Sequence, residues 1–121
     1  MLDFWVSKKN VVHILKDNKA AGYMELEKAN VRWFLSLDSN DLPLTNKQNN
    51  KLTYRSISID KKEIEFSNGF SELHTKSYKE ILKGRGFRID DVRNSIEITS
   101  KIRNSQVSNL TEDYHPFCKN N

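Results

Sequence analysis

Residues 30–43 read "NVRWFLSLDSNDLP". Five apolar side chains fall in the first eight positions of a chain whose mean hydropathy is only −0.73. Successive side chains of a strand point to opposite faces. Val31, Trp33, Leu35 and Leu37 then share one face, and Arg32, Phe34 and Ser36 share the other. The first face is apolar enough to lie under helices. The second is polar except for Phe34, and an apolar group on an otherwise open sheet face marks an interface. Phe34 is therefore a candidate interface residue, together with Tyr54 on a later strand.

Working outward, residues 22–27 form a strand candidate, and Lys28-Ala29-Asn30 reads as the turn joining it to 31–37 in a hairpin. A short apolar run at 11–15, interrupted only by His13, is a further strand. Residues 1–6 resemble the last turns of a helix, with Leu2, Trp5 and Val6 on one face. Downstream, residues 38–51 are rich in Asp, Ser, Asn, Pro and Gln and read as a loop. Residues 53–59 and 63–66 alternate around Asp60-Lys61-Lys62, giving a second hairpin with Ile64 and Phe66 inward.

After Ser67-Asn68-Gly69 the period changes to helical: Leu73, Ser77, Tyr78, Ile81 and Leu82 follow one stripe. Ser71 suits its N-cap and Gly84 its C′ position. A second helix starts at the expected N-cap Asp90, with a stripe of Val92, Ile96, Thr99 and Ile102 or Arg103. Asp90 and Asp91 suit the positive end of its dipole, and Lys101 and Arg103 the negative end. Strands followed by helices indicate an α+β fold: a mostly antiparallel sheet with helices on one face and the other free for sheet-on-sheet association. The domain runs over residues 1–103, and 104–121 form an irregular tail.

At 121 residues the chain makes at most one modest domain, able to bury about two-thirds of its unfolded surface. The 6 Phe, 4 Tyr and 2 Trp exclude a disordered chain. Net charge is +4, but the 20 Lys and Arg are scattered, with no run longer than a pair, so the expectation is no nucleic-acid partner. The single cysteine, Cys118, cannot form an internal disulfide and reads as a tail thiol without a role, which fits a reducing compartment. No signal-peptide pattern and no apolar run of spanning length occur, so no membrane partner and a cytoplasmic location are expected.

Candidate chemistry is sparse. His13, His74 and His115 lack metal-ligand spacing, and one Cys cannot build a zinc site, so no metal site is expected. His74 and Tyr78 stand one helical turn apart and can act as an acid/base pair, grip a polar ligand, or simply edge the core. "GRGF" at 84–87 has two glycines before a helix. It lacks the preceding strand and third glycine of a dinucleotide fingerprint, so it reads as helix capping.

Longer phrases carry a more specific signal. "RWFLS", "SNGFSELHTKSY", "ILKGRGF" and "DYHPFCK", spread over nearly the whole chain, resemble the C-terminal domain of the Gfo/Idh/MocA oxidoreductases. The nearest likeness is the branch that oxidises UDP-N-acetylglucosaminuronate at C3 in lipopolysaccharide O-antigen synthesis. The resemblance implies an α+β domain that helps close a sugar-nucleotide site and packs sheet-on-sheet into homo-oligomers. In that family an N-terminal Rossmann domain binds NAD and carries a Glu-Lys-Pro motif, and a histidine motif follows. None of these is in this sequence, so the chain is expected to be a truncated dehydrogenase with no catalytic residue and no cofactor of its own, inactive alone. The polar residues it offers a UDP-sugar are Arg32, Arg55, His74 and Tyr78, with an arginine suited to carboxylate or diphosphate. The alternatives are a subunit active only with a separate Rossmann chain, or a small basic module binding nucleic acid or UDP-sugar.

Overall fold

The computed structural model describes residues 7–68, 71–110 and 113–121. The helix end expected at 1–6, and Gly69 at the expected change of period, lie outside the described residues. The chain divides into two compact units, one of residues 1–38 and 88–121, the other of residues 39–87. Among the described residues both sheets are antiparallel and the fold is α+β, as expected from the order of elements.

The first unit holds a three-stranded sheet in the order β1 (Ser7–Leu15), β2 (Lys19–Leu26), β3 (Asn30–Ser36). β1 and β2 are longer than the apolar pattern alone indicates. Polar Ser7–Asn10, outside the apolar run, pairs with the end of β2, and Asn10 Nδ2 donates to Ser7 Oγ at 2.7 Å. The β1–β2 register shifts between Val12 and Ile14. Such an extra residue re-aims the side chains beyond it, and Val12, His13 and Ile14 are all buried in succession.

Beyond the shift, Ile14, Ala21 and Phe34 form one cross-strand row. Cys118 packs on that row, with Phe34 and Tyr114 at its margin. The residues after 103, expected to form no element, supply a 3-10 helix, Pro116–Asn120, and a bridge from Val107 to Val12 on the β1 edge. Cys118 is 1% exposed and belongs to the core. The other row meets a different fate: Leu35 and Leu37, read as lying under helices, are 67% and 89% exposed.

Helix α3 (Ile89–Arg103) belongs to this unit and contacts β1. It starts one residue earlier than the expected cap at Asp90. Arg88 occupies the N-cap position, and the Asp91 carboxylate accepts its backbone N–H at 2.8 Å. Asp90 and Asp91 do lie in the first turn, and Lys101 and Arg103 in the last.

The second unit begins with a stretch expected as pure loop. It contains a 3-10 turn, Ser39–Asp41, and a short helix α1 (Leu44–Gln48) that starts after Pro43. Asn46 is buried there and donates through Nδ2 to the Thr53 carbonyl at 3.3 Å. A hairpin follows, β4 (Ser56–Ile59) with β5 (Lys62–Glu65), pairing Ile57 with Ile64. Ile64, expected inward, is 52% exposed. Asp60 and Lys61 both take positive φ, 49° and 68°, as a two-residue turn between right-twisted strands requires.

Helix α2 (Leu73–Leu82) closes this unit. Its N-cap position is held by Glu72 at φ 66° rather than by Ser71, with no side-chain cap bond. Its other end follows the sequence reading: Gly84 has φ 73°. Gly84 N–H donates to Ile81 O at 3.0 Å and Arg85 N–H to Glu80 O at 2.8 Å, the paired bonds of a Schellman stop. The Arg85 guanidinium grips the Glu80 carboxylate from Nε at 2.6 Å and from its terminal nitrogen at 2.9 Å.

Candidate functional site

The sequence-derived site residues fall in different units: Arg32 in the first, and Tyr54, Arg55, His74 and Tyr78 in the second. In the second unit Tyr54 precedes β4, and its hydroxyl hydrogen-bonds the Glu63 carboxylate, while Ser56 Oγ donates to the Tyr54 oxygen at 3.0 Å. The Glu63 hydrogen bond holds the Tyr54 phenol above its ordinary value and the Glu63 carboxyl below its own. Arg55 is tied across the hairpin, its N–H donating to Ser67 Oγ at 2.9 Å and its guanidinium to the Ser67 carbonyl at 3.4 Å. His74 and Tyr78 lie on the exposed surface of α2, one turn apart, with Tyr78 68% exposed.

In the first unit Arg32 projects from the same face of β3 as Phe34. Its Nε lies 2.6 Å from Asp113 Oδ1, and both side chains are about half-exposed, at 52% and 43%. A guanidinium carries five N–H donors, so the Asp113 contact through Nε leaves a fork suited to a carboxylate or phosphate oxygen.

Beside Arg32 stands His115, whose ring stacks on Phe34 at 5.6 Å and 27°. Phe117 meets both rings edge-on, at 5.5 Å from Phe34 and 5.0 Å from His115. His115 Nδ1 accepts the Phe117 backbone N–H at 3.2 Å, capping the Pro116–Asn120 helix. Burial, then the nearby Arg32 charge, pushes the imidazole below its ordinary value. The Phe34 ring, a candidate interface residue, thus also has ring neighbours within its own chain.

Asp113, Tyr114 and His115 are the residues that reading for periodicity missed. They follow no helical or strand pattern. The available signal was local: two aromatic rings and a His-Pro step packed into "DYHPFCK". Among the described residues no group of three or more His, Cys, Asp or Glu is placed to hold a metal ion. Nor is any described helix long and apolar enough to cross a membrane.

No family model matches the chain. Solved structures do. The chain is similar to the WlbA (WbpB) dehydrogenase from Thermus thermophilus, with 41% identity and a TM-score of 0.87, in a crystal structure with NAD and α-ketoglutarate. The match is equally close, 40% identical with a TM-score of 0.87, to the same dehydrogenase in complex with NAD and UDP-GlcNAcA. Each match covers 92% of this chain and 36% of the dehydrogenase. The resemblance carried by "RWFLS", "ILKGRGF" and "DYHPFCK" is borne out, and the chain spans just over a third of its relative's length.

Proposed function

We infer, from the premise that the chain is homologous to part of a sugar-nucleotide dehydrogenase of the Gfo/Idh/MocA class, that it supplies the substrate-facing and self-associating part of such an enzyme. Hydride transfer then needs NAD-binding machinery that these 121 residues do not contain. The observation that carries this reading is the match itself: 92% of the chain at 41% identity, against 36% of a dehydrogenase crystallised with NAD.

The proposed ligand is a UDP-linked hexuronate of the kind bound by the relative, in cytoplasmic synthesis of lipopolysaccharide O-antigen sugars. Arg32, whose guanidinium is exposed enough to meet an anion, is the first candidate to hold its carboxylate or diphosphate, and Arg55, His74 and Tyr78 follow. Self-association through the sheet belongs to the same reading. With the Phe34 ring packed against His115 and Phe117, exposed Leu35 and Leu37 are the apolar side chains of the β3 end left for it.

The test is NADH formation from NAD and UDP-N-acetylglucosaminuronate by the purified chain, alone and mixed with a chain carrying the remaining part of the relative. No turnover alone is expected, and turnover by the pure chain would refute the reading. Activity restored by mixing would favour the version in which two separate chains make one enzyme.

A further inference from the structure

The segment 113–121 meets the sheet through Arg32, Phe34 and Lys19, and the short helix that sets its shape is capped through a single nitrogen. His115 Nδ1 accepts the Phe117 N–H, which it can do only as the neutral imidazole with its proton on Nε2. The His115 carbonyl accepts the Cys118 N–H at 2.9 Å. At the far end Lys19 Nζ reaches Asn121 Oδ1 at 2.6 Å. Cys118, 1% exposed, is the segment's contribution to the core.

We propose that residues 113–121 form a pH-operated latch: a proton on His115 Nδ1 removes the acceptor that caps the last helix, and the segment leaves the sheet, uncovering Cys118. An imidazolium has N–H on both nitrogens, so the Phe117 N–H would meet a donor. The charge would also be partly buried and beside the Arg32 guanidinium.

The charged and titratable groups facing His115 are Arg32 from β3, Asp113 on the approach to the helix, and Cys118 within it. Lys119 in the same helix is exposed. On the other side of the segment Tyr114 meets His13 of β1 edge-on at 6.2 Å. Asp113 pairs with Arg32, and burial first, then the Arg32 charge, holds the imidazole below its ordinary value. The docked segment therefore binds a proton less readily than the released one. Docking is at full strength above the ordinary imidazole value of 6.5 and weakens as pH falls from there through the depressed value.

The experiment measures reaction of Cys118 with 4,4′-dithiodipyridine, from about pH 7.5 to about pH 5, on either side of the ordinary imidazole value. Rates are divided at each pH by that of the chain unfolded in urea, which removes the intrinsic titration of the thiol. Relative reactivity should rise several-fold on acidification in the wild type. It should stay low throughout in His115→Asn, because an Asn oxygen can still cap a helix but does not titrate. A flat wild-type profile overturns the latch. So does an equal rise in both chains, which would assign the event to His13 or Asp113. Should His115→Asn fail to fold, the wild type alone still decides. The His115 imidazole resonance, followed by NMR, must titrate with the same midpoint as the exposure of Cys118, and separate midpoints refute the proposal.

Discussion

Gly22 shows how a single atom limits this sheet. A Cβ there would sit 2.3 Å from the Val11 carbonyl oxygen and 2.7 Å from the Trp33 ring. The ring can shift but the carbonyl belongs to a paired strand, so Gly22→Ala should cost about 1–3 kcal/mol by overpacking, read as a lower urea midpoint with an unchanged slope. Phe34 is the complementary case. Its ring is held by His115, Phe117 and the Ile14–Ala21 row. For a half-buried ring, Phe34→Ala should destabilise the chain by about 2–3 kcal/mol, measured by chemical denaturation at fixed protein concentration. Phe34→Lys should likewise lower stability before it changes any solution mass, because the ring's first contacts are intramolecular.

At the scale of elements, the termini and turns respond to backbone geometry. Lys61 adopts φ 68° in the β4–β5 turn, where a side chain is strained. Lys61→Gly should stabilise the hairpin by about 1 kcal/mol, seen as a higher melting temperature. Gly84 at φ 73° stands in the open: a Cβ added there would meet nothing within 4 Å, so space is not its constraint. Gly84→Ala should nevertheless cost about 1 kcal/mol, because the left-handed conformation at C′ is unfavourable for any residue with a Cβ. Far-ultraviolet circular dichroism during thermal unfolding would register both. The two displaced N-caps have one cause. Ser71 and Asp90 are good N-cap types, but Glu72 and Arg88 hold those positions, because the path of the chain into the helix selects the cap and composition only favours it.

At the scale of the whole molecule, the exposed Leu35 and Leu37 are the test of self-association. Leu35→Glu with Leu37→Glu should reduce the solution mass measured by sedimentation while leaving the circular dichroism spectrum unchanged; an unchanged mass would remove the sheet from the proposed interface. The sequence alone determined the α+β class, the two hairpins, both principal helices and the Gly84 stop. These follow from side-chain period and from local backbone preference, which a short window contains. Its longer phrases also determined the kinship with the dehydrogenases. What only the tertiary structure decided is what lies against what. Phe34 and Leu35 are neighbours in one strand, but the first is covered by residues more than eighty positions later and the second is open. Cys118 and His115 have no periodic neighbours to announce them. Their roles arise because the segment carrying them returns to the Ile14–Ala21–Phe34 row, and long-range burial of that kind leaves no signature in a short stretch of sequence.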